Sequence, residues 1–213
     1  MKKLLIALVV VAIASVAQAE LLATWTFANG ASSVATEAGA ANIDQVTFGE
    51  LTRVNLGTAS TSANQFAANN WTAAANGISL AVTVNAGYEI AGATIGVGGL
   101  NGSNTGPDTL QWSLNGSDVG GTWTVAYKSG NSVTTPIQVG TIGAGANTLF
   151  LRSTGGQVGT PTGTPATAGS ARLLTNLTMD GTIQSATPIP EPATMGLLGL
   201  GALALALRRK MSK

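Results

Sequence analysis

The sequence predicts an all-β protein: an antiparallel β-sandwich, jelly-roll-like, between an N-terminal signal helix and a C-terminal hydrophobic helix. Segments of alternating apolar and polar residues recur along the chain, as in strands that are buried on one face. Residues 77–85, for example, place Ile78, Leu80, Val82 and Val84 on one side. About eight to ten such strands in roughly 165 residues, separated by turns, are typical of two packed sheets.

The other strand candidates follow in chain order and are separated by Gly- and Asn-rich turns. They lie within residues 22–29, 44–57, 88–100, 109–116, 121–130, 147–153 and 171–183. Asn101-Gly102, Asn115-Gly116 and Asp180-Gly181 are pairs that favour positive φ and predict turns. The Ala-rich stretches around residues 31–41 and 63–75 also contain Ser, Asn and Gly, which favours loops. Residues 153–171 predict a long surface loop, with ligand contact as the alternative.

The composition excludes several classes of chemistry. The chain has 213 residues with no Cys and no His, and 9% of the residues are charged. Disulfides, thiol nucleophiles and thiolate metal sites are therefore absent, as are the commonest general base and the commonest metal ligand. We expect no enzyme, no cofactor and no bound metal.

The charges are divided unevenly along the chain. Six of the ten basic residues lie near the two ends, and the segment between them holds four basic and nine acidic residues, a net charge of −5. Nucleic-acid binding requires clustered Lys and Arg that displace counterions, so the sequence predicts no nucleic-acid partner.

Residues 1–19 have the order of a secretory signal peptide. Lys2 and Lys3 come first, and Leu4–Val16 follows as an apolar run of 13 residues. Ala17-Gln18-Ala19 is the small-x-small pattern of a cleavage site, which predicts a cut before Glu20. The alternative is an uncleaved N-terminal anchor. With this segment removed, residues 20–186 form the sandwich domain and residues 187–213 a separate C-terminal segment.

The C-terminal segment combines a hinge, an apolar run and a basic cluster. Pro190 and Pro192 interrupt regular structure, and 15 uncharged residues follow in Ala193–Leu207. As a helix these residues would be about 22 Å long, which is short for a membrane span. Because Lys and Arg favour the cytoplasmic side, the cluster Arg208-Arg209-Lys210 predicts a body outside the membrane and a tail end inside it.

This order resembles the PEP-CTERM sorting signal of Gram-negative bacteria. Pro190, Glu191 and Pro192 correspond to the tripeptide that names the family, and the Gly/Leu-rich run and basic cluster follow in the same order. The resemblance implies an exosortase, a membrane-embedded cysteine protease, as a partner. It also implies transient anchoring in the inner membrane, removal of the apolar segment and delivery to the cell surface or extracellular matrix. The alternative is a permanent membrane anchor.

The middle of the body also resembles a sandwich domain that is common in PEP-CTERM proteins. Gly106-Pro107 corresponds to a turn before a strand that carries Trp112 and Leu114, and residues 175–181 correspond to a late strand. The match is loose. It supports the fold and implies no activity, because a fold does not determine chemistry.

Candidate binding residues are few. The four tryptophans could stack on sugar rings, but core positions are the more economical interpretation. Trp71, within NNWTAAANG, is the best candidate for an exposed ligand contact. Asp108, Asp118 and Asp180 could bind Ca²⁺, although their spacing matches no calcium loop. No pair of carboxylates forms a recognisable constellation for glycoside hydrolysis.

The sequence therefore predicts an exported structural protein of the cell surface or of an exopolysaccharide-associated matrix. The alternative is a carbohydrate-binding or adhesive module, Ca²⁺-dependent in one version, with extracellular polysaccharide as its partner. An enzyme is the third and least favoured class, because it would need two carboxylates facing each other across a cleft.

Overall fold

A computed structural model of the chain confirms the all-β prediction. It describes residues 19–186, apart from residues 29–30, 59–64, 72, 74, 98–99, 103–105, 128–135, 155–169 and 174–175. Residues 1–18 of the predicted signal peptide and the C-terminal segment 187–213, with the two helices predicted for them, lie outside the described residues. Within the described ranges the regular structure consists of strands and one short 3-10 helix, Ile43–Gln45. None of the described helical structure has the length and apolar character that crossing a membrane requires.

Sixteen strands lie within the described residues. They are β1 (Glu20–Ala28), β2 (Ala31–Thr36), β3 (Val46–Phe48), β4 (Thr52–Val54), β5 (Gly57–Thr58), β6 (Phe66–Asn69), β7 (Gly77–Val84), β8 (Tyr88–Val97), β9 (Leu100–Gly102), β10 (Thr109–Leu114), β11 (Ser117–Thr124), β12 (Ala126–Tyr127), β13 (Ile137–Ile142), β14 (Gly145–Ser153), β15 (Ser170–Leu173) and β16 (Leu177–Ser185).

The strands form three sheets. Sheet A has the order β13-β8-β16-β1-β2, and sheet B has the order β11-β10-β14-β7-β3, with β4 also paired to β7. Sheet C has the order β12-β9-β15-β6-β5. The pairs are antiparallel except for β9 and β12, which run parallel.

Sheets A and B bury their facing sides in one apolar core. Trp25 of sheet A meets Phe48 of sheet B edge to face, with ring centroids 5.9 Å apart. Trp112 and Trp123 form a second edge-to-face pair at 5.7 Å within sheet B. The alternation along β7 continues through Ile78, Leu80, Val82 and Val84, all buried as the sequence predicts. The periodic residues thus face the core because each strand turns alternate side chains to opposite faces.

The register defines two ends of the molecule. We call the proximal pole the end that carries Glu20, residues 37–45, the turn 85–87, the turn Asn115-Gly116 and residues Ser185 and Ala186. The opposite end, the distal pole, carries sheet C, whose strands belong to the connections that leave sheets A and B at that end.

Four local predictions are corrected by the structure. Residues 31–36 and 66–69, expected in loops, form β2 and β6. Asn101-Gly102, expected to be a turn, lies inside β9 and pairs with β12 and β15. Asp180-Gly181, expected to be a turn, lies inside β16 at a shift of the register. Gly181 is needed there for another reason, because a Cβ on it would come within 2.7 Å of Ile90 Cγ2. By contrast, Asn115-Gly116 is a turn with φ of 50° and 87°, as predicted.

Trp25 and Trp112 are both fully buried but differ in one hydrogen bond, which gives a stability test. The indole N–H of Trp25 donates to Gly49 O at 2.8 Å, whereas that of Trp112 has no acceptor among the described residues. Trp25→Phe and Trp112→Phe remove similar apolar area, but only Trp25→Phe leaves a partly buried carbonyl oxygen, that of Gly49, without this donor. We expect Trp25→Phe to cost about 1 kcal/mol more in the free energy of unfolding. Urea unfolding followed by circular dichroism measures both, and equal losses would contradict the role of this hydrogen bond.

Candidate functional site

The residues with a predicted sorting role fall at or beyond the ends of the described chain. Pro190, Glu191 and Pro192, the basic cluster Arg208-Arg209-Lys210 and Ala17 lie outside the described residues. Ala19 and Glu20 lie inside them. The site can therefore be described through the places where the folded body meets the two processing segments.

The predicted N-terminal cut falls at the edge of regular structure. Glu20 is the first residue of β1 and pairs with Gly181 of β16. Its Oε1 also accepts a hydrogen bond from the backbone N–H of Ala41 at 2.9 Å. Ala19 precedes the strand and is exposed. Cleavage between Ala19 and Glu20 would thus leave every residue of β1 in the mature protein.

The C-terminal segment begins directly after the last bonded residue of the body. Ser185, the end of β16, pairs with Tyr88, and the backbone N–H of Ala186 donates to Gly87 O at 2.9 Å. The Nδ2 group of Asn42 donates to Ile183 O at 3.2 Å and ties the same strand to the neighbouring loop. Only three residues, 187–189, separate Ala186 from Pro190.

The two processing segments leave the body at the same pole. Because β1 and β16 are antiparallel neighbours, Glu20 lies beside Gly181, four residues before Ser185. At about 3.3 Å per residue this places the predicted new N-terminus roughly 13 Å along the sheet from the start of the tail. The topology of sheet A therefore brings both junctions to the proximal pole.

The proximal pole carries acidic side chains. Glu20, Glu37, Asp44 and Glu89 lie there, and the described residues of this pole include no Lys or Arg. Asp44 accepts a hydrogen bond from the side chain of Gln45, and Glu89 accepts one from the side chain of Gln184. The arginines that the structure describes start from strands nearer the distal pole, which gives the body a polarity of charge.

Trp71 is not an exposed platform, which corrects the expectation from the sequence. Its relative exposure is 3%, and its indole N–H donates to Ala68 O at 2.8 Å. Polar neighbours in the sequence suggested a loop at the surface. However, the preceding strand β6 pairs into sheet C and turns Trp71 into the core.

The remaining tryptophans also lie in the core, as the sequence predicts. Trp25, Trp112 and Trp123 are at most 1% exposed. The indole N–H groups of Trp112 and Trp123 find no acceptor among the described residues. Their edge-to-face contact at 86° brings the edge of one ring to the face of the other, an arrangement favoured by the ring quadrupoles. These residues are therefore structural, and no sugar ring could stack on them without unfolding the sheet.

The three aspartates considered for Ca²⁺ lie on separate elements. Asp108 precedes β10 and accepts a hydrogen bond from Thr109, whereas Asp118 on β11 accepts two from Arg152 at 2.8 and 2.9 Å. Asp180 lies on β16, where Leu21 and Thr94 are its partners on the two adjacent strands. Across the described part of the chain, no group of three or more acidic side chains could hold a metal ion together.

The structure also gives roles to residues that sequence reasoning missed. Arg53 lies 4.0 Å from the ring centroid of Phe66, and its Nε donates to Ala67 O at 2.9 Å. Burial lowers the pKa of the Arg53 guanidinium from its ordinary value. Arg53 thus links β4 of sheet B to β6 of sheet C. Because the body has few charged residues, a structural role for Arg53 could have been suspected from the sequence. Its contact with Phe66 could not, because the three-dimensional fold brings the two residues together.

An asparagine pair stabilises two turns of the proximal pole. Asn115 has φ of 50°, and its Oδ1 accepts a hydrogen bond from the backbone N–H of Thr148 at 2.8 Å. Its Nδ2 donates to Asn147 Oδ1 at 2.9 Å, and Asn147 Nδ2 donates to Gly143 O. The turn sequence predicted the conformation of Asn115 but not this connection to the turn between β13 and β14.

Comparison with known proteins identifies the C-terminal segment. A family model described as the PEP-CTERM protein-sorting motif matches residues 188–210. No curated protein and no solved structure matches the chain. The similarity of the body to a sandwich domain of the family therefore stays a prediction.

These observations define a class of exported proteins that are sorted by their C-terminal segment. The match begins two residues after Ala186, the last described residue, and it contains the tripeptide, the apolar run and the basic cluster. The chain carries the PEP-CTERM protein-sorting motif at residues 188–210. The motif indicates export and sorting to the cell surface or matrix, with processing by exosortase, a membrane enzyme.

Asp180 provides a test of the electrostatics of sheet A. Desolvation by burial raises the pKa of its carboxyl group above the ordinary value. The folded state therefore disfavours the charged form, and this cost acts at pH 7 and disappears when the carboxyl group is protonated in both states, below about pH 4. We expect Asp180→Asn to raise the free energy of unfolding at pH 7 by less than about 1 kcal/mol, because solvent screens a partly exposed group. The gain should vanish near pH 3, and a gain that is independent of pH would contradict this account.

Proposed function

We propose that the mature protein is a non-catalytic structural component of the cell surface or of an exopolysaccharide-associated matrix. The observation that carries this proposal is the sorting motif, which follows directly on a folded β-domain of low charge. Export places such a domain in a hydrated polymer layer. A structural role there requires a stable, soluble and protease-resistant fold, and does not require a catalytic constellation.

The outer sheet faces support this role through their chemistry. The outward positions of sheet A are occupied largely by Thr, Ser, Ala, Gly and Gln; paired examples are Thr24 with Thr178 and Thr26 with Ser33. The Oγ atoms of Thr26 and Ser33 lie 2.9 Å apart and hydrogen-bond across the strands. Small hydroxyl side chains bind water without net charge, so such a face stays solvated among neutral or anionic polysaccharides.

We propose a jelly roll as the topology of the body, and the strand order supports it. The long strands of sheet A follow the order β1-β16-β8-β13, and those of sheet B follow β7-β14-β10-β11. Successive long strands alternate between the sheets, except that β10 and β11 form a hairpin within sheet B, and this is the order of a jelly roll with two interleaved Greek keys. The small strands β2 and β3 extend the edges, and sheet C is an addition at one pole.

During export the precursor carries two helices that the mature protein lacks. Residues 1–19 act as the signal peptide, and the apolar run 193–207 anchors the exported precursor in the inner membrane. Arg208, Arg209 and Lys210 then stay on the cytoplasmic side. Exosortase cuts near the tripeptide and releases the body.

The carbohydrate-binding alternative loses its main candidate. Its best contact residue, Trp71, is buried and its indole N–H is already hydrogen-bonded. The three other tryptophans are buried as well. We therefore keep the structural role as the proposed function.

The sorting route can be tested by the intact mass of the protein in each fraction of its native cells. We expect a species that begins at Glu20, ends near Pro192 and is found at the surface or in the medium. Pro190→Ala combined with Pro192→Ala should move most of the protein, at least fivefold relative to wild type, to an inner-membrane species that retains the tail.

A matched control is available within the chain. Pro161→Ala combined with Pro165→Ala changes two prolines that lie four positions apart in a Thr- and Gly-rich stretch, and it should leave processing unchanged. Equal processing of the two double variants, or a wild-type protein that keeps residues 193–213, would refute the proposed route.

A further inference from the structure

Little chain lies between the folded body and the sorting motif. Four residue steps join Ala186, whose backbone N–H donates to Gly87 O at 2.9 Å, to Pro190 of the motif. Four fully extended steps cover only about 14 Å, and the seven steps to Ala193 cover about 25 Å. A compact domain of this length has a radius of gyration of about 15 Å, so the body is more than twice as wide as the shorter connection. A protease that encloses the tripeptide beside the membrane therefore meets the body as long as β16 stays paired to its end.

The last residues of β16 are paired on one side only. For most of its length β16 is a central strand, between β1 and β8. On the β1 side the described pairing ends where Glu20, the first residue of β1, lies opposite Gly181. On the β8 side the pairing continues as far as Ser185, which lies opposite Tyr88. Residues 184–186 are therefore held like the end of an edge strand, although β16 is the middle of the sheet.

The apolar core ends one residue before this segment. Ile183 is 2% exposed, and its carbonyl oxygen accepts a hydrogen bond from Asn42 Nδ2 at 3.2 Å. The three residues that follow are exposed or half-buried, and the side chain of Gln184 donates to Glu89 at the surface. Segments with few buried contacts and solvent-exposed hydrogen bonds open locally at low cost in free energy. Detachment of residues 184–186 would thus stop at Ile183 and leave the core intact.

We propose that residues 184–186 are a detachable end of β16, and that their release from β8 allows the tail-processing protease to reach the tripeptide. This inference rests on the proposed function, because it requires that exosortase cuts the precursor. Release moves the last fixed point of the body from Ala186 to Ile183. The extended reach to Pro190 then grows from about 14 Å to about 25 Å. The pairing of three residues thereby controls the rate of cleavage.

A reversible cross-link tests this opening, because the chain contains no Cys of its own. Ser185→Cys with Tyr88→Cys places two thiols on directly paired residues, whose Cα separation in an antiparallel ladder suits a disulfide. We call the oxidised form of this variant the locked precursor. The control is Thr26→Cys with Ser33→Cys, which cross-links β1 to β2 where the native Oγ atoms lie 2.9 Å apart. Thermal unfolding of each full-length variant establishes that the fold is retained.

The measurement is the rate at which tail-bearing precursor is converted to the mature mass on membranes of the native cells. We expect the locked precursor to be processed at least fivefold more slowly than its reduced form. Both forms lack the ring of Tyr88, so its loss cannot cause the difference. The wild type and the control disulfide variant should change by less than twofold on reduction. Insertion of Gly-Ser-Gly-Ser after Ala186 supplies about 14 Å of chain and should restore the locked precursor to within twofold of its reduced form.

The same insertion in the wild-type chain is a second test, which needs no cross-link. It provides the reach without detachment, so we expect processing to become at least threefold faster. Equal rates for the locked and reduced precursors, or a wild-type rate that the insertion leaves unchanged, would overturn the detachable end. A lock that the insertion does not relieve would also contradict it. In each case wild-type cleavage continues, whereas failure of the proposed function is recognised by absence of cleavage in the wild type itself.

Discussion

The pairing of β1 with β16 is the interaction on which the architecture depends. It joins residues that are more than 150 positions apart, with Glu20 opposite Gly181 and Trp25 opposite Leu177. Since β16 also pairs with β8, the last strand is the centre of sheet A. Without it, β1 and β2 would be an isolated hairpin, and such hairpins are marginally stable in water. Closure by the last strand is therefore also what brings the two junctions to one pole.

Because β16 is the central strand of sheet A, folding of this sheet can be completed only after β16 has been translocated. The central position of sheet A stays empty until residues 177–185 have been exported, and long-range strand pairing is slow compared with local structure. Three residues separate Ala186 from Pro190, so a tail that anchors the precursor, as proposed, would reach the membrane while the sheet is being completed. Retention by the tail would then give the body time to fold before release.

Much of the body could be predicted from sequence because its strands carry a strong period of two. The buried side of β7 and the Asn115-Gly116 turn are examples where local chemistry determines the result. Local chemistry does not determine β2, because the sequence of this strand contains one larger apolar residue, Val34. The strand forms because it pairs with β1. The hydroxyl group of Ser32 accepts a hydrogen bond from the backbone N–H of Leu51 and donates one to the carbonyl oxygen of the same residue, which fixes this edge strand.

The candidate site also has one part that could be predicted from the sequence and another that could not. The motif could be predicted because proline, an apolar run and basic residues act locally, and comparison confirms it at residues 188–210. The burial of Trp71 could not be predicted, because it follows β6, and β6 is held in sheet C by pairing with β15, about 100 positions further along the sequence. The acidic character of one pole was equally hidden, since Glu20, Glu37, Asp44 and Glu89 are brought together only by the register of the sheets.

The distribution of charge connects the body to its route. Arg53 is held over Phe66, and Arg152 is paired with Asp118, so these cations serve the fold and lie away from the proximal pole. Along the exported chain the order is then an acidic surface, a short hinge, an apolar run and a basic cluster. If the tail anchors the precursor as proposed, the Lys/Arg cluster after the apolar run favours the orientation with the body outside. Cleavage near the tripeptide would then remove the basic end and leave a body with net negative charge, and charge of one sign resists association in a crowded matrix.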